Sequence, residues 1–210
     1  MSIDRAYNDW AETYDSDPNL TRDLDHEITS ETLTDFRCKA ALEIGCGTGK
    51  NTSFLSSIGE KVFALDFSEG MISKAKDRPG LSNVTFFLTD LRKKWPFDDR
   101  SIDLVVCNLV LEHIEDFRSI FSESSRALVK GGRLFICELH PFRQYQGTRA
   151  KFQSKEGERE VGAFIHNISD YLDTAAKCGF ELEHLKEWWH KKDKDRPPRI
   201  VSFMFKSLGR

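Results

Sequence analysis

Apolar positions along this chain follow two rhythms. Short, nearly continuous apolar runs recur at 40–44 (AALEI), 61–66 (KVFALD), 84–88 (VTFFL), 102–107 (IDLVVC) and 133–138 (RLFICE), as expected of strands buried on both faces. Between them apolar residues return every three or four positions. Leu20, Leu24 and Ile28, extended by Leu33 and Phe36, predict a helix over 22–36. Phe117, Ile120, Phe121, Ser124, Ala127 and Leu128 fall at i, i+3, i+4, i+7, i+10 and i+11. They predict a second helix, capped by Asp116 and stopped by Gly131-Gly132. Further helices are predicted over 48–58, ended by a left-handed Gly59, and from a Ser68 cap to before Pro79-Gly80. A last helix spans 169–178, with Gly179 as its stop. FELEHLKEWW and RIVSFMF then read as two strands joined by the charged turn KKDKDRPPR.

Strands alternating with helices require crossover connections, and so a mostly parallel sheet with helices on both faces. Two closing strands with no helix between them predict an antiparallel pair at one edge. The expected fold is therefore α/β and doubly wound, a single domain over 1–210. Residues 139–166 break the alternation. There RAKFQ and REVGAF flank SKEGE in a β-hairpin pattern. So long an insertion after a strand's C-terminal end reads as a lid.

Composition narrows the class. A hydrophobic share of 39%, with 16 Phe and 4 Trp among 210 residues, supplies one ample core. A charged share of 31%, a mean hydropathy of −0.49 and no long apolar run argue against a membrane span. The opening MSIDRAYNDW lacks the basic start and apolar core expected of a secretory leader, and with the scattered cysteines below a cytoplasmic location is expected. A net charge of −3 and a pI near 6.1 disfavour a general nucleic-acid binder. Five scattered cysteines without a CxxC pair read as reduced thiols, and six histidines without HExxH predict no metal site.

The stretch ALEIGCGTGKNT places Glu43 within an apolar strand and then Gly45, Gly47 and Gly49 in alternation. Glycines at such a strand-to-helix turn bare the backbone to a ligand, and the next helix offers its N-terminal N–H groups. The spacing is GxGxG, because Lys50 stands where a dinucleotide fingerprint has its third glycine. Asp66 ends the second strand at an offset of 66 − 45 = 21 from Gly45. That is close to the ~20 at which a carboxylate meets ribose hydroxyls. Turn, helix, strand and terminal Asp together indicate nucleoside binding.

With EIGCGTG, ALDFS, LTDL, DLVVCN followed by LEH, and KGGRL in that order, nearly the whole chain resembles the class I S-adenosylmethionine-dependent methyltransferases. The resemblance implies a Rossmann-like seven-stranded sheet with an antiparallel last strand. It implies a cofactor, S-adenosylmethionine, released as S-adenosylhomocysteine. It packs the backbone of Gly45, Cys46, Gly47 and Gly49 against the cofactor's methionine and ribose portions with Glu43 nearby, and sets Asp66 on the ribose hydroxyls. Phe67 and Met71 would flank the adenine, Asp90 and Leu91 would meet its edge, and Asn108 and Leu109 would lie under the methionine end. Tyr7, Trp10 and Tyr14, within an N-terminal helical cover over 1–38, resemble the aromatic cover of many relatives. An aromatic face suits a sulfonium cation.

Methyl transfer from a sulfonium is an in-line displacement that rests largely on alignment. A base is needed only where the acceptor must lose a proton. His113, His140 and His166 are the candidate bases, and Arg143 and Arg149 could pair with an anionic acceptor. The leading expectation is an enzyme methylating a small molecule on oxygen, nitrogen or a carboxyl group, with no nucleic-acid or membrane partner. A protein or nucleic-acid methyltransferase is the alternative. It is disfavoured because Asn108-Leu109-Val110-Leu111 stands where amino-group base methyltransferases carry N/D-P-P-Y/F. A non-catalytic cofactor-binding regulator and an NAD-dependent oxidoreductase are the remaining classes.

Overall fold

A computed structural model describes residues 3–154 and 157–209. The apolar runs become β1 (Cys38–Ile44), β2 (Gly59–Asp66), β3 (Val84–Leu88), β4 (Ile102–Asn108) and β5 (Leu128–Leu139). With β8 (Phe180–Trp188) and β9 (Ile200–Ser207) they form a seven-stranded sheet ordered β3-β2-β1-β4-β5-β9-β8. The first four pairings are parallel, while β9 runs antiparallel to both β5 and β8. The winding direction reverses between β1 and β4, the place where open α/β sheets bind ligands.

Strand pleating sorts the side chains into two cores. Leu42, Ile44, Val105, Cys107, Leu134, Ile136, Phe203 and Phe205 share one face. They pack against α5 (Arg118–Ala127) and α7 (Ile168–Lys177) through residues such as Phe121 and Tyr171. Ala41, Leu104, Val106, Phe135 and Cys137 point the other way, towards α2 (Leu20–Leu33) and α3 (Lys50–Ile58). Glu43 and Asn108 share the parity of Ala41 and Leu104, so the pleat aims both polar side chains at α2 and α3. A third, smaller cluster joins α1 (Ile3–Trp10) to Met71 of α4 (Glu69–Lys76) and to Val161, through Ala6, Trp10 and Ala11.

Several predicted boundaries move. Helix α2 begins at Leu20, where the Asn19 side chain accepts from the backbone N–H of Thr21 and Arg22, and ends at Leu33. Helix α3 starts at Lys50 rather than 48. Gly59 is extended (φ −105°, ψ 141°) and not left-handed, because the chain passes from α3 straight into β2 with no loop to turn. Asp116 lies one residue outside the cap position of α5. Its carboxylate accepts from the N–H of Arg118 and grips that residue's guanidinium. Gly131-Gly132 does not stop α5, which ends at Ala127; it lies inside β5, at an irregularity where pairing jumps from Ile102–Leu128 to Leu104–Arg133.

The insertion holds a short helix α6 (Pro141–Tyr145) and the predicted hairpin, β6 (Lys151–Ser154) with β7 (Gly157–Glu160). Part of SKEGE lies outside the described residues. The Val161 N–H donates to the Ala150 carbonyl at 2.9 Å and closes the hairpin's base.

Candidate functional site

A cavity of about 900 Å³ opens at the C-terminal ends of β1, β2, β3 and β4, beneath α1 and α2. The glycine turn forms its floor. Gly45 and Cys46 both donate to the Leu65 carbonyl, at 2.8 and 3.0 Å, which folds the turn back onto β2. Gly45 adopts φ +72°, and a Cβ there would fall 2.2 Å from Cγ2 of Val110 in the loop after β4. Gly47 also has positive φ, +52°, but a Cβ there would meet nothing within 4 Å. It would project into space beside a wall of the cavity. Gly49 is not in the cavity lining; an added Cβ would touch Ala75 of α4 at 3.0 Å, so this glycine serves helix packing.

Asp66 ends β2 buried at the cavity wall. Its Oδ2 accepts from Gly47 N and its Oδ1 from Ser68 N, both at 2.8 Å. Burial raises its pKa while these backbone bonds oppose the rise. Each oxygen keeps a further lone pair for a ligand. Glu43, buried on β1, accepts from the Thr52 hydroxyl of α3, and desolvation pushes its carboxyl up to about 8. Asp90 forms a two-point pair with Arg92 at 2.9 Å per contact, which holds its carboxyl below the usual range. Leu109 carries the left-handed φ of +55°, a conformation costly for a leucine, at the point where β4 runs into the cavity.

Above the floor, Tyr7 and Tyr14 line the cavity with Phe67, and Tyr7 meets Phe67 edge-on at 5.8 Å. Trp10 is core instead, 2% exposed. The face of Tyr14 is already covered by the guanidinium of Arg22, 4.0 Å from the ring centre. Arg22 donates through Nη1 to the Tyr14 carbonyl and through Nη2 to that of Asp17, while its buried Nε finds no partner among the described residues.

A polar cluster that sequence reasoning missed sits at the α2 end. Asp25 accepts from Asn108 Nδ2 and Asn51 Nδ2, both at 2.9 Å, and burial pushes its carboxyl up to about 6. Asn108 Nδ2 also donates to the Thr29 hydroxyl at 2.6 Å, and its buried Oδ1 is unpartnered. The signal was present in the chain: Arg22, Asp25 and Thr29 fall at i, i+3 and i+7, a polar stripe beside the apolar Leu24 and Ile28.

The three histidines separate. His113 lines the cavity. Its Nδ1 lies 2.9 Å from the Gly162 carbonyl and must carry the proton, so Nε2 accepts from the Tyr7 hydroxyl at 2.7 Å. His140 is outside the cavity lining: Nδ1 accepts from Phe142 N to cap α6, and Nε2 donates to Glu187 at 2.8 Å. Burial lowers its pKa, which favours this neutral tautomer. His166 is also outside, its Nε2 donating to the carbonyls of Leu111 and Ile114 at 3.1 and 2.9 Å. Arg143 is buried against Asp193 and the Pro197 carbonyl, and Arg149 is exposed away from the cavity, so neither lines it. Met71 is fully buried under α1, likewise off the lining. The other candidates, Tyr14, Glu43, Gly45, Cys46, Gly47, Asp66, Phe67, Asp90, Leu91, Asn108 and Leu109, meet around one cavity.

A cavity at the reversal point of a doubly wound sheet, floored by a bare backbone turn and flanked by a strand-terminal carboxylate, defines a nucleoside-binding domain. Residues 42–136 match the family model described as a methyltransferase domain. The malonyl-[acyl-carrier protein] O-methyltransferase of Yersinia pestis is 27% identical over 206 residues, covering 97% of this chain and 72% of that protein. The demethylmenaquinone methyltransferase of Tropheryma whipplei is 33% identical over 104 residues, 49% of this chain and 43% of its own length. The structure of DhpI with S-adenosylhomocysteine superposes with a TM-score of 0.77 at 23% identity, covering 98% of this chain and 95% of that one. Residues 42–136 carry a methyltransferase domain, and the chain shares its fold with S-adenosylmethionine-dependent methyltransferases of known structure. The cavity suits S-adenosylmethionine: the missing Cβ at Gly47 leaves room for it, and Asp66 retains acceptor capacity for hydroxyls.

Among the described residues no helix is long and apolar enough to cross a membrane, and no group of His, Cys, Asp and Glu is placed to hold a metal ion.

Proposed function

We propose that this protein methylates a small-molecule acceptor on oxygen, nitrogen or a carboxyl group. The observation that carries the reading is the size and lining of the cavity. At about 900 Å³ it extends past the glycine turn and Asp66 to Tyr7, His113 and Phe164, leaving space for a second small molecule. Of the named relatives, one is a demethylmenaquinone methyltransferase, which supports a small acceptor, and the other methylates a malonyl group on acyl-carrier protein, which supports oxygen as the methylated atom. Bound S-adenosylmethionine supplies an activated methyl group. The chain's own part is to hold donor and acceptor in line under the aromatic cover and to exclude water. For a hydroxyl acceptor, His113 is the candidate base. It lines the cavity with its ring fixed by the Gly162 carbonyl, and at its Nε2 the acceptor hydroxyl would take the place now held by that of Tyr7. His140 and His166 are assigned structural roles. Asp66, Phe67, Asp90 and Leu91 are proposed to bind the nucleoside end and Glu43, Asn108 and Leu109 the methionine end. The five free cysteines support a cytoplasmic location.

The test incubates the protein with methyl-labelled cofactor and fractionated cell metabolites. Label is expected in a low-molecular-mass fraction, and transfer only to protein or nucleic acid would replace this reading with the alternative. Asp66→Ala is expected to abolish cofactor binding by calorimetry, because the substitution removes both the ligand acceptor and the tie to the Gly47 N–H. Unchanged affinity would sink the assignment.

A further inference from the structure

The 3-10 turn Leu111–His113 sets a buried carboxylate beside His113, a residue of the cavity wall. Oε1 of Glu112 lies 3.9 Å from Nε2 of His113, and both side chains are 7% exposed. The turn is held on several sides. His166 donates to the carbonyls of Leu111 and Ile114, and the Phe164 N–H donates to the Glu112 carbonyl at 2.7 Å. Glu138 accepts from the N–H groups of Val110 and Leu111 at 2.9 Å each. Gln144 of α6 donates to the other Glu112 oxygen, Oε2, at 3.2 Å, which leaves Oε1 on the side of the ring. Arg143, the preceding residue of α6, is spent on Asp193 at 2.8 Å.

A shielded carboxylate at that distance favours a proton on the imidazole. Burial raises the Glu112 carboxyl, while the His113 charge and the Gln144 amide oppose the rise, so the two charges support each other. The Tyr7 hydroxyl reports the field on the cavity side. Its oxygen lies 2.7 Å from Nε2, at the place an acceptor oxygen would take. Burial, and then the negative charges of Tyr14, Glu112, Asp66 and Glu138, hold this phenol well above its usual pKa. An anion is therefore disfavoured where the acceptor has to react.

We propose that Glu112 is a positioning residue for methyl transfer, and that it selects an acceptor group still carrying its proton, a hydroxyl or an ammonium, over a free carboxylate. The proposal rests on the reading of His113 as the base and narrows the acceptor classes given above. The acceptor gives its proton to His113 Nε2 and its lone pair to the methyl carbon, and the electron pair of the broken carbon–sulfur bond stays on sulfur. The imidazolium left behind is stabilised by Glu112, the part a buried aspartate plays in a Ser-His-Asp triad.

Methyl-labelled cofactor and the metabolite fractions test it. The wild-type product should keep its label in mild alkali, as ethers and amines do. Release of the label as methanol would mark a methyl ester and overturn the selectivity. Glu112→Gln keeps the size of the side chain and an oxygen for Gln144 but removes the charge. It should slow labelling at a saturating fraction at least about 10-fold, as a weakened base implies. Its affinity for S-adenosylhomocysteine by calorimetry should stay within about twofold, which also reports an intact fold. Because Glu112 acts through the ring, Glu112→Gln combined with His113→Gln should be no slower than His113→Gln alone. A wild-type rate in Glu112→Gln, an equal loss of S-adenosylhomocysteine affinity, or losses that multiply in the double variant would reduce Glu112 to a structural group. If the wild type binds S-adenosylhomocysteine but labels no fraction, the small-acceptor reading itself fails and this inference falls with it.

Discussion

Gly45 and Gly47 have the same residue type, the same turn and the same sign of φ, yet they answer to different forces. At Gly45 a Cβ would overlap Val110, so Gly45→Ala should lower stability by at least about 2 kcal/mol, combining backbone strain and overpacking. Gly47→Ala meets open space, so its cost should fall on cofactor affinity more than on the melting temperature. Thermal denaturation and calorimetry of the two variants separate the cases; equal losses of stability would show that φ alone matters. Asp66 is a second residue whose type was legible and whose partners were not. The ~20-residue offset pointed to ribose, but only the folded chain shows that the same carboxylate binds the Gly47 N–H and thereby shapes the turn.

At the scale of elements, the strands and the long helices were readable because their apolar periodicity is local. Helix α1 was expected only as part of the helical cover that the resemblance implied, and helix α6 not at all. Helix α1 is short, and its packing depends on Met71 and Val161, far along the chain. Helix α6 is shorter still and needs the His140 side chain as its cap. The hairpin was visible through its alternation, and its closed base makes it separable. Replacing residues 151–160 with a two-residue link should leave cofactor affinity within about twofold, since the link spans the existing Val161–Ala150 bond. A collapse in S-adenosylhomocysteine binding would place the hairpin in the cofactor cover instead.

Across the molecule, among the described residues, buried carboxylates outnumber the buried cations near the cavity, and this sets the pH response. Burial raises Glu43 and Glu138 to about 8 and Asp25 to about 6, and it raises Asp66 and Glu112 as well. Between the ordinary carboxylate range and pH 8 the folded state therefore holds protons that the unfolded chain has lost. Their stabilising contribution is complete at acid pH and disappears as pH rises through the folded values. Denaturant unfolding should show stability falling from about pH 5 to pH 8, and Glu43→Gln should flatten the slope. A profile that rises over that window would contradict the burial described for these groups.

The chain by itself determined the order of strands and helices, the glycine turn and the carboxylate after the second strand, because backbone preference and apolar period act over a few residues. Tertiary structure alone decided which polar groups meet. It turned Arg143 away into a buried pair with Asp193 and His140 towards Glu187, and it set Asn108 against Asp25, 83 positions apart. Such pairings depend on which face of the sheet a residue occupies and which helix covers it, and no local pattern carries that information.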